Sequence, residues 1–276
     1  MAIILNPINP VAFSVFGLPI RWYALAYIAG FVIGYYLFKY LMRRDNSEIC
    51  FSNKQMDDFL TYIVLGVILG GRIGYVLFYN LPYFIVHPLE IFAIWHGGMS
   101  FHGGLLGVII ATVLFAWKQK FSDKSLAKNS FKILDLLSVV VPIGLGLGRI
   151  ANFINMEVMG RATNSSLGII FNGVPEYDYP RHASPIYEAT LEGLVLFIIM
   201  LLLYTKTRLR THPGAISGLL CIFYAIFRIF CEQFRQPDAQ IGFLTTWGLT
   251  MGQMLSGIMF VVGVIVFTWA MRKNQK

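Results

Sequence analysis

The most constraining feature of this sequence is a series of seven long apolar stretches. They lie near residues 19–41, 57–79, 98–117, 133–151, 185–204, 214–232 and 248–271. The hydrocarbon core of a bilayer is about 30 Å thick, and a helix of about 20 apolar residues crosses it. The pattern therefore predicts an all-α membrane protein with seven transmembrane helices. Only 13% of the residues are charged, about half the share in soluble domains, which excludes a soluble enzyme, a disordered chain or a secreted disulfide scaffold.

We interpret the chain as a single polytopic membrane domain over residues 1–276. The first residues are not expected to be a cleavable signal peptide, because they lack a basic start and are interrupted by Pro7, Pro10 and Pro19. A polar segment at about 152–184 separates the fourth and fifth spans. It is expected to form a small head on the outer side that guides an incoming peptide, although a plain connection fits the sequence equally well.

The positions of Lys and Arg predict the orientation, since cytoplasmic loops carry an excess of both. Most of the 22 basic residues fall in alternate loops and at the C-terminus: Lys39, Arg43, Arg44, Lys54, Lys118, Lys120, Lys124, Lys128, Lys132, Lys206, Arg208, Arg210, Arg272, Lys273 and Lys276. These segments are predicted to be cytoplasmic. The N-terminus is then outside and the C-terminus inside.

The remaining basic residues are all arginines in spans or near their predicted outer ends. They are Arg21, Arg72, Arg149, Arg161, Arg181, Arg228 and Arg235. A guanidinium binds phosphate oxygens in pairs and tolerates desolvation better than an ammonium group. Arginine without lysine on the outer side therefore indicates an anionic headgroup as partner. The alternative is that each arginine only snorkels to the interface or pairs with a glutamate.

A polar run ends the fourth predicted span. Arg149 and Asn152 are three residues apart and share a helix face, and Asn155 and Glu157 follow where the chain leaves the helix. They offer several donors and one carboxylate at the outer boundary, although a helix end capped by its own asparagines explains the same pattern. The glycines within 144–148 lack the spacing of a dinucleotide loop and are expected to let helices approach closely.

His102 lies in the glycine-rich entry into the third span, at 96–104. Imidazole readily accepts a proton near neutral pH, but a lone histidine at a membrane edge is also a common structural residue. His96 and His102 are poorly spaced for helical metal ligands, so no metal site is expected. Arg72 follows two glycines in the second span, and Tyr23 lies at the outer end of the first, where an interfacial aromatic is expected in any case.

Two charged stripes occupy the outer halves of the fifth and sixth spans. Arg228, Glu232 and Arg235 are at i, i+4 and i+7, so Glu232 can pair with either arginine. Glu188 and Glu192 form the second stripe. The spacing does not decide which partners meet.

Taken together, these motifs resemble those of the bacterial phosphatidylglycerol–prolipoprotein diacylglyceryl transferase family, in order and over nearly the whole chain. The matching segments are Gly70-Gly71-Arg72-Ile73-Gly74-Tyr75, the run from Gly97 to Gly104, the run from Gly148 to Gly160, His182-Ala183-Ser184-Pro185 with Tyr187-Glu188, and Phe234-Arg235-Gln236-Pro237-Asp238. Met156 and Met159 stand where the family usually has a glycine and an aromatic residue. This departure is expected to reshape pocket walls without removing a charge.

The resemblance implies a multi-pass enzyme of the bacterial inner membrane with its site toward the periplasm. It implies transfer of the sn-1,2-diacylglyceryl group of phosphatidylglycerol to the thiol of the lipobox cysteine of a prolipoprotein, with release of glycerol phosphate. This would be the first step of lipoprotein maturation. Membrane lipid and prolipoprotein signal peptides are the implied partners. No nucleic acid, metal or nucleotide cofactor is expected, because phosphatidylglycerol supplies the activated carbon.

The resemblance also ties Arg149, Asn152, His102 and Arg235 to activity. We hypothesise that His102, assisted by Tyr23, takes the thiol proton, while Arg149 and Arg235 clamp the phosphate. The remaining substrate-binding residues are expected to be Arg72, Asn152, Asn155, Glu157 and Gly160, with Glu232 positioning Arg235. If His102 is not the base, a thiolate stabilised by arginine is the alternative.

Two other functions fit part of this evidence. A transporter or flippase of an anionic lipid would use the same arginines but would form no covalent product. A receptor-like seven-helix protein would need neither the headgroup cluster nor the flexible segment around His102.

Overall fold

The computed structural model describes residues 2–44, 49–119, 121, 125–237, 242–246 and 248–273. In these residues the helices are α1 (Trp22–Arg44), α2 (Asn53–Tyr79), α3 (Leu81–Val86), α4 (Phe101–Gln119), α5 (Leu126–Ile154), α6 (Ser184–Glu188), α7 (Leu196–Lys206), α8 (Ala215–Cys231) and α9 (Met251–Lys273). A π-helical segment, Ala189–Val195, joins α6 to α7 in one span, Ser184–Lys206. Lys120, Lys124, Lys276 and Asp238, which the sequence singled out, lie outside the described residues.

The predicted helical membrane fold is confirmed. Within the described residues, six helical stretches are long and apolar enough to cross a bilayer: α1, α2, α4, α5, Ser184–Lys206 and α9. On α4, Leu106, Ile110 and Leu114 repeat every four residues and are each about half exposed, as a lipid-facing stripe requires. The sixth predicted span corresponds to α8, which has 17 residues. The count of seven crossings therefore stays a prediction.

The chain forms two compact units, Met1–Phe38 with Asp135–Lys276, and Lys39–Leu134. Within Lys39–Leu134, α2 and α4 pack through glycines. A Cβ atom on Gly70 would lie 2.8 Å from the Gly107 Cα, so neither helix accommodates a side chain there. Such close approach lets apolar helices gain van der Waals contact in lipid.

The first unit contains a second close helix contact, between α5 and the π-helical segment. A Cβ atom on Gly193 would lie 2.5 Å from the Gly146 Cα. This confirms the close approach predicted for this run at Gly146, whereas a Cβ atom on Gly148 would meet no atom within 4 Å. Because a π-helical turn is wider than an α-turn, it changes which residues share a face, and Glu192 lies within it.

The start of α8 is held by a side chain from α5. Gly214 precedes α8 with a φ of +98°, a conformation that glycine adopts without strain. The buried Asp135 carboxylate accepts hydrogen bonds from Gly214 N at 2.8 Å and from Ser217 N at 2.7 Å. Asp135 thus satisfies amides that the first turn of α8 leaves without helical partners.

The segment between α5 and α6 is a folded substructure. Strand β1 (Ile3–Leu5) pairs in parallel with β4 (Ile169–Phe171), and β2 (Val11–Val15) pairs antiparallel with β3 (Leu18–Arg21). An apolar core formed by Met159, Ile169, Phe171 and Ala183 lies within it. Four short strands, which the apolar pattern did not predict, accompany this all-α membrane fold and lie outside the spans. Their edge amides can be hydrated there, which lipid would not allow.

Candidate functional site

The strongest concentration of charge in the first unit is a set of three arginines and three glutamates. We call it the arginine–glutamate cluster: Arg149 of α5, Glu188 of α6, Glu192 of the π-helical segment, Arg228 of α8, and Glu232 and Arg235 just after α8. The six formal charges cancel. Charged side chains among apolar helices are costly unless paired, and such pairing is what the cluster provides.

Glu188 is the centre of the cluster. Its Oε2 atom lies 2.8 Å from Arg149 Nε, 2.9 Å from Arg228 Nη1 and 3.6 Å from Arg235 Nη1. The Glu188 side chain is fully buried, whereas that of Arg149 is 20% exposed. One buried carboxylate therefore orients three guanidinium groups, of which Arg149 reaches furthest toward the surface.

Glu192 and Glu232 complete the pairing. Glu192 lies 3.5 Å from Arg228 Nη1 and 3.7 Å from Arg149 Nη2. Glu232 pairs with Arg228 at 2.9 Å and accepts a hydrogen bond from Thr250 Oγ1 at 3.1 Å. Of the two arginines that the spacing offered to Glu232, Arg228 makes this ion pair, and Arg235 lies near Glu188.

Asn152, Asn155 and Glu157 form a second polar group at the end of α5. Asn152 Nδ2 and Asn155 Nδ2 donate to the two Glu157 oxygens at 3.1 and 3.3 Å. The Asn155 Oδ1 atom is buried and has no hydrogen-bond partner. A buried acceptor left unpaired is costly, so this atom is suited to a ligand hydroxyl or amine.

The turn around Glu157 is backbone-strained. Met156 and Val158 have φ angles of +56° and +53°, which is unusual for a side chain and most so for β-branched valine. Tyr177 Oη donates to the Met156 carbonyl at 2.7 Å, and Ser184 Oγ donates to the Val158 carbonyl at 2.8 Å. These two hydrogen bonds hold a conformation that the local sequence would not favour by itself.

Gly160 joins this turn to the chain after α8. Its amide donates to the His182 carbonyl at 2.8 Å, and a Cβ atom there would lie 2.5 Å from the Phe234 carbonyl oxygen. Arg161 Nε donates to the Arg235 carbonyl at 2.9 Å. Only glycine fits at 160, and the junction fixes the backbone that carries Arg235.

His182 lies beside this junction. Burial lowers the pKa of the His182 imidazole, which favours its neutral form.

Arg72 and His102 lie in the Lys39–Leu134 unit. Arg72 is buried and donates to the backbone carbonyls of Glu90, Ile91, Gly97 and Gly98 at 2.5 to 3.2 Å. It therefore organises the segment that leads into α4. His102 lies in the first turn of α4, partly exposed, with its ring edge-on to Phe101.

Tyr23 lies in the other unit, in the first turn of α1. Its ring centroid is 5.2 Å from that of Tyr27, and its side chain is partly exposed. A position at the helix end agrees with the interfacial placement predicted from sequence.

Three residues of the cluster were not among the predicted site residues: Glu188, Glu192 and Arg228. The two charged stripes were a usable signal, but the pairing of individual residues was not readable. The alternative expectation, that single arginines pair with glutamate, describes Arg149 and Arg228 correctly. It did not anticipate three arginines sharing one carboxylate.

The fold and these contacts define a multi-pass membrane protein with a polar, arginine-rich site at the end of its helices. Residues 10–269 match the model of the family described as prolipoprotein diacylglyceryl transferase. The chain therefore belongs to the prolipoprotein diacylglyceryl transferase family, as the sequence motifs indicated.

Individual relatives agree over nearly their full length. The chain is 49% identical to a phosphatidylglycerol–prolipoprotein diacylglyceryl transferase of Rhodospirillum rubrum, over 96% of this chain and 93% of the relative. It is 47% identical to the protein of that name from Azospirillum brasilense, over 99% and 98%. It is 48% identical to that from Gluconobacter oxydans, over 96% and 93%.

Proposed function

We propose that this chain transfers the sn-1,2-diacylglyceryl group of phosphatidylglycerol to the thiol of the lipobox cysteine of a prolipoprotein. The reaction forms a thioether, releases glycerol phosphate and begins lipoprotein maturation. One observation carries the proposal. Over nearly its whole length, the chain is 46–49% identical to relatives named for this activity. We also propose that the protein lies in the bacterial inner membrane with its site toward the periplasm.

The reaction requires the acceptor sulfur to attack the glycerol carbon that bears the phosphate. The new bond is S–C, the bond that breaks is C–O, and its electron pair leaves with glycerol phosphate. A thiol with a pKa of about 8.5 must first lose its proton. We assign that proton to His102, with assistance from Tyr23.

The departing phosphate needs fixed positive charge. Arg149 and Arg235 are held by Glu188 and retain partial exposure of 20% and 11%. Guanidinium groups fixed before the reaction stabilise developing phosphate charge without the cost of reorienting solvent. Before the lipid phosphate binds, the cluster has no net charge, and Glu188 is the counterion that keeps both arginines in place. Binding of the phosphate then adds negative charge beside these arginines.

Asn152, Asn155, Glu157 and Gly160 are the proposed headgroup residues. The glycerol headgroup carries hydroxyls, and the unpaired Asn155 Oδ1 atom is a suitable acceptor for one. For Arg72, the four carbonyl contacts support an indirect role, in which it orders the segment preceding His102. Glu232, which pairs with Arg228, is proposed to position Arg235. The activated carbon comes with the lipid, so the proposal includes no metal and no cofactor.

A reconstituted assay tests this function. Purified protein in detergent is mixed with phosphatidylglycerol and a synthetic lipobox peptide, and the peptide mass is measured. The expected result is a gain of one diacylglyceryl group, absent from a peptide with Cys→Ser. Folded protein that yields no mass gain would contradict the proposal. Lipid movement across vesicles without peptide modification would favour the flippase instead.

A further inference from the structure

A cavity outside the arginine–glutamate cluster has no role in the chemistry above. It has a volume of about 580 Å³ and is lined by residues that include Val158, Pro175, Tyr177, Tyr179, Arg181 and Gln236. Its size falls in the range of ligand-binding clefts. Its walls combine aromatic rings, prolines, an amide, one cation and one carboxylate, Glu176, a composition suited to a polar chain.

The position of the cavity in the fold favours a polar occupant over acyl chains. None of its lining residues belongs to a helix long and apolar enough to cross the bilayer. Diacylglycerol tails remain in the hydrocarbon layer, where burial is favourable. A ligand in this cavity is therefore hydrated before it binds.

Arg181 provides the clearest sign of a missing partner. Its Nη1 donates to the Gly160 carbonyl at 3.0 Å and its Nη2 donates to Tyr179 Oη. The guanidinium carbon lies 4.5 Å from the Tyr179 ring centroid and 5.7 Å from that of Tyr177. The third guanidinium nitrogen, Nε, is buried without a hydrogen-bond partner. An unpaired buried N–H is satisfied by a carbonyl oxygen, which a peptide backbone supplies at every residue.

The cavity walls are continuous in sequence with the reactive site. Val158 directly follows Glu157, and Gln236 directly follows Arg235. A polypeptide whose cysteine is held near Arg235 therefore needs only a few residues, at about 3.3 Å each, to pass from the site into the cavity.

We propose that this cavity binds the acceptor polypeptide immediately after its modified cysteine. The inference rests on the proposed function and adds a peptide subsite to it. The segment before the cysteine is the apolar part of a signal sequence and stays in the membrane. The segment after the cysteine is the part that leaves the membrane, and the cavity lies outside the spans. Aromatic and proline walls recognise extended chains in other peptide-binding domains.

Photo-crosslinking tests this placement. A lipobox peptide with Cys→Ser carries benzoylphenylalanine at the second, third or fourth residue after the serine, and the full-length enzyme is irradiated with it. The expected crosslinks fall within residues 175–181, as mapped by mass spectrometry. If the enzyme modifies the matching cysteine peptide but all crosslinks fall outside residues 175–181, the subsite is overturned and the proposed function is not. Enzyme that fails to modify that peptide would overturn the proposed function, and the subsite with it.

Kinetics give an independent readout. Two peptides are compared, one ending at the cysteine and one extending six residues beyond it. Tyr179→Ala should raise the KM of the long peptide about fivefold and thereby lower the preference for it over the short one. Leu167 is 61% exposed and lies outside the cavity walls. Leu167→Ala is therefore the matched control and should keep the wild-type preference. An unchanged preference in Tyr179→Ala would contradict the subsite.

Discussion

At the scale of single residues, the central fact is that one carboxylate serves three arginines. Glu188 Oε2 lies within 3.6 Å of Arg149, Arg228 and Arg235. The shared arrangement means that no arginine is positioned independently. A change at Glu188 should therefore reach Arg149 and Arg235, the proposed phosphate-binding groups, even though Glu188 is not proposed to touch the lipid.

Glu188→Gln should impair both stability and activity. It removes one negative charge and leaves buried guanidinium groups with an unbalanced positive charge, a loss of about 3 kcal/mol in unfolding free energy. Lipidation should fall about a hundredfold. Thermal unfolding and peptide mass gain, measured in the same detergent, check both effects. Asp58→Asn, at an exposed position of α2, is the control, and wild-type behaviour of Glu188→Gln would contradict the shared-carboxylate account.

His102→Gln tests the base assignment. If His102 takes the thiol proton, turnover at neutral pH should fall about a hundredfold. His87→Gln changes an exposed histidine of the same unit and should retain wild-type turnover. Near-normal turnover of His102→Gln would instead favour a thiolate stabilised by arginine.

The sequence identified the charged residues of the candidate site better than it identified the partners of each one. Arg72 and Arg235 read alike as outer arginines, yet Arg72 donates to backbone carbonyls while Arg235 contacts a carboxylate. The difference arises because pairing depends on helix rotation and on local backbone course. Neither is encoded in residue spacing along one element.

At the scale of elements, apolar length predicted the helices well. It was harder to predict which residues of each helix share a face. The hydropathy of the run 184–206 does not distinguish a π-helical segment from an α-helix. Asp135, a carboxylate inside a predicted span, was not singled out, although it holds the first amides of α8. Both features depend on contacts between helices, so periodicity within one helix does not report them.

The π-helical segment gives a test at this scale. In Gly193→Ala, the added methyl would lie 2.5 Å from the Gly146 Cα, and backbone must move to relieve the overlap. We expect a loss of about 1–3 kcal/mol in stability and lower lipidation, because Glu192 adjoins this contact. Gly257→Ala in α9 meets no atom within 4 Å and should behave as wild type in thermal unfolding. Equal melting of the two variants would contradict the packing role of Gly193.

At the scale of the whole molecule, the open question is whether α8 crosses the membrane. Its first turn is bound by Asp135 of α5, and the chain after it pairs with Gly160, beyond the end of α5. Between Asp135 and Ile154, α5 rises roughly 28 Å at 1.5 Å per residue. That distance is close to the hydrocarbon thickness of a bilayer. The two attachments therefore support a crossing by α8, despite its 17 residues.

Labelling from each side of the membrane decides both the orientation and the crossing. Cys50 is exposed and follows a basic loop predicted to be cytoplasmic, so a membrane-impermeant maleimide should label it in inside-out vesicles and not in spheroplasts. With Cys50→Ser as background, Thr246→Cys should show the opposite pattern, because an α8 that crosses brings the following segment to the outer side. Asn172→Cys, in the folded segment between α5 and α6, reports the outer side directly. If Thr246→Cys were labelled from the same side as Cys50, α8 would not cross, and the attachments to Asp135 and Gly160 would have to lie at one membrane surface.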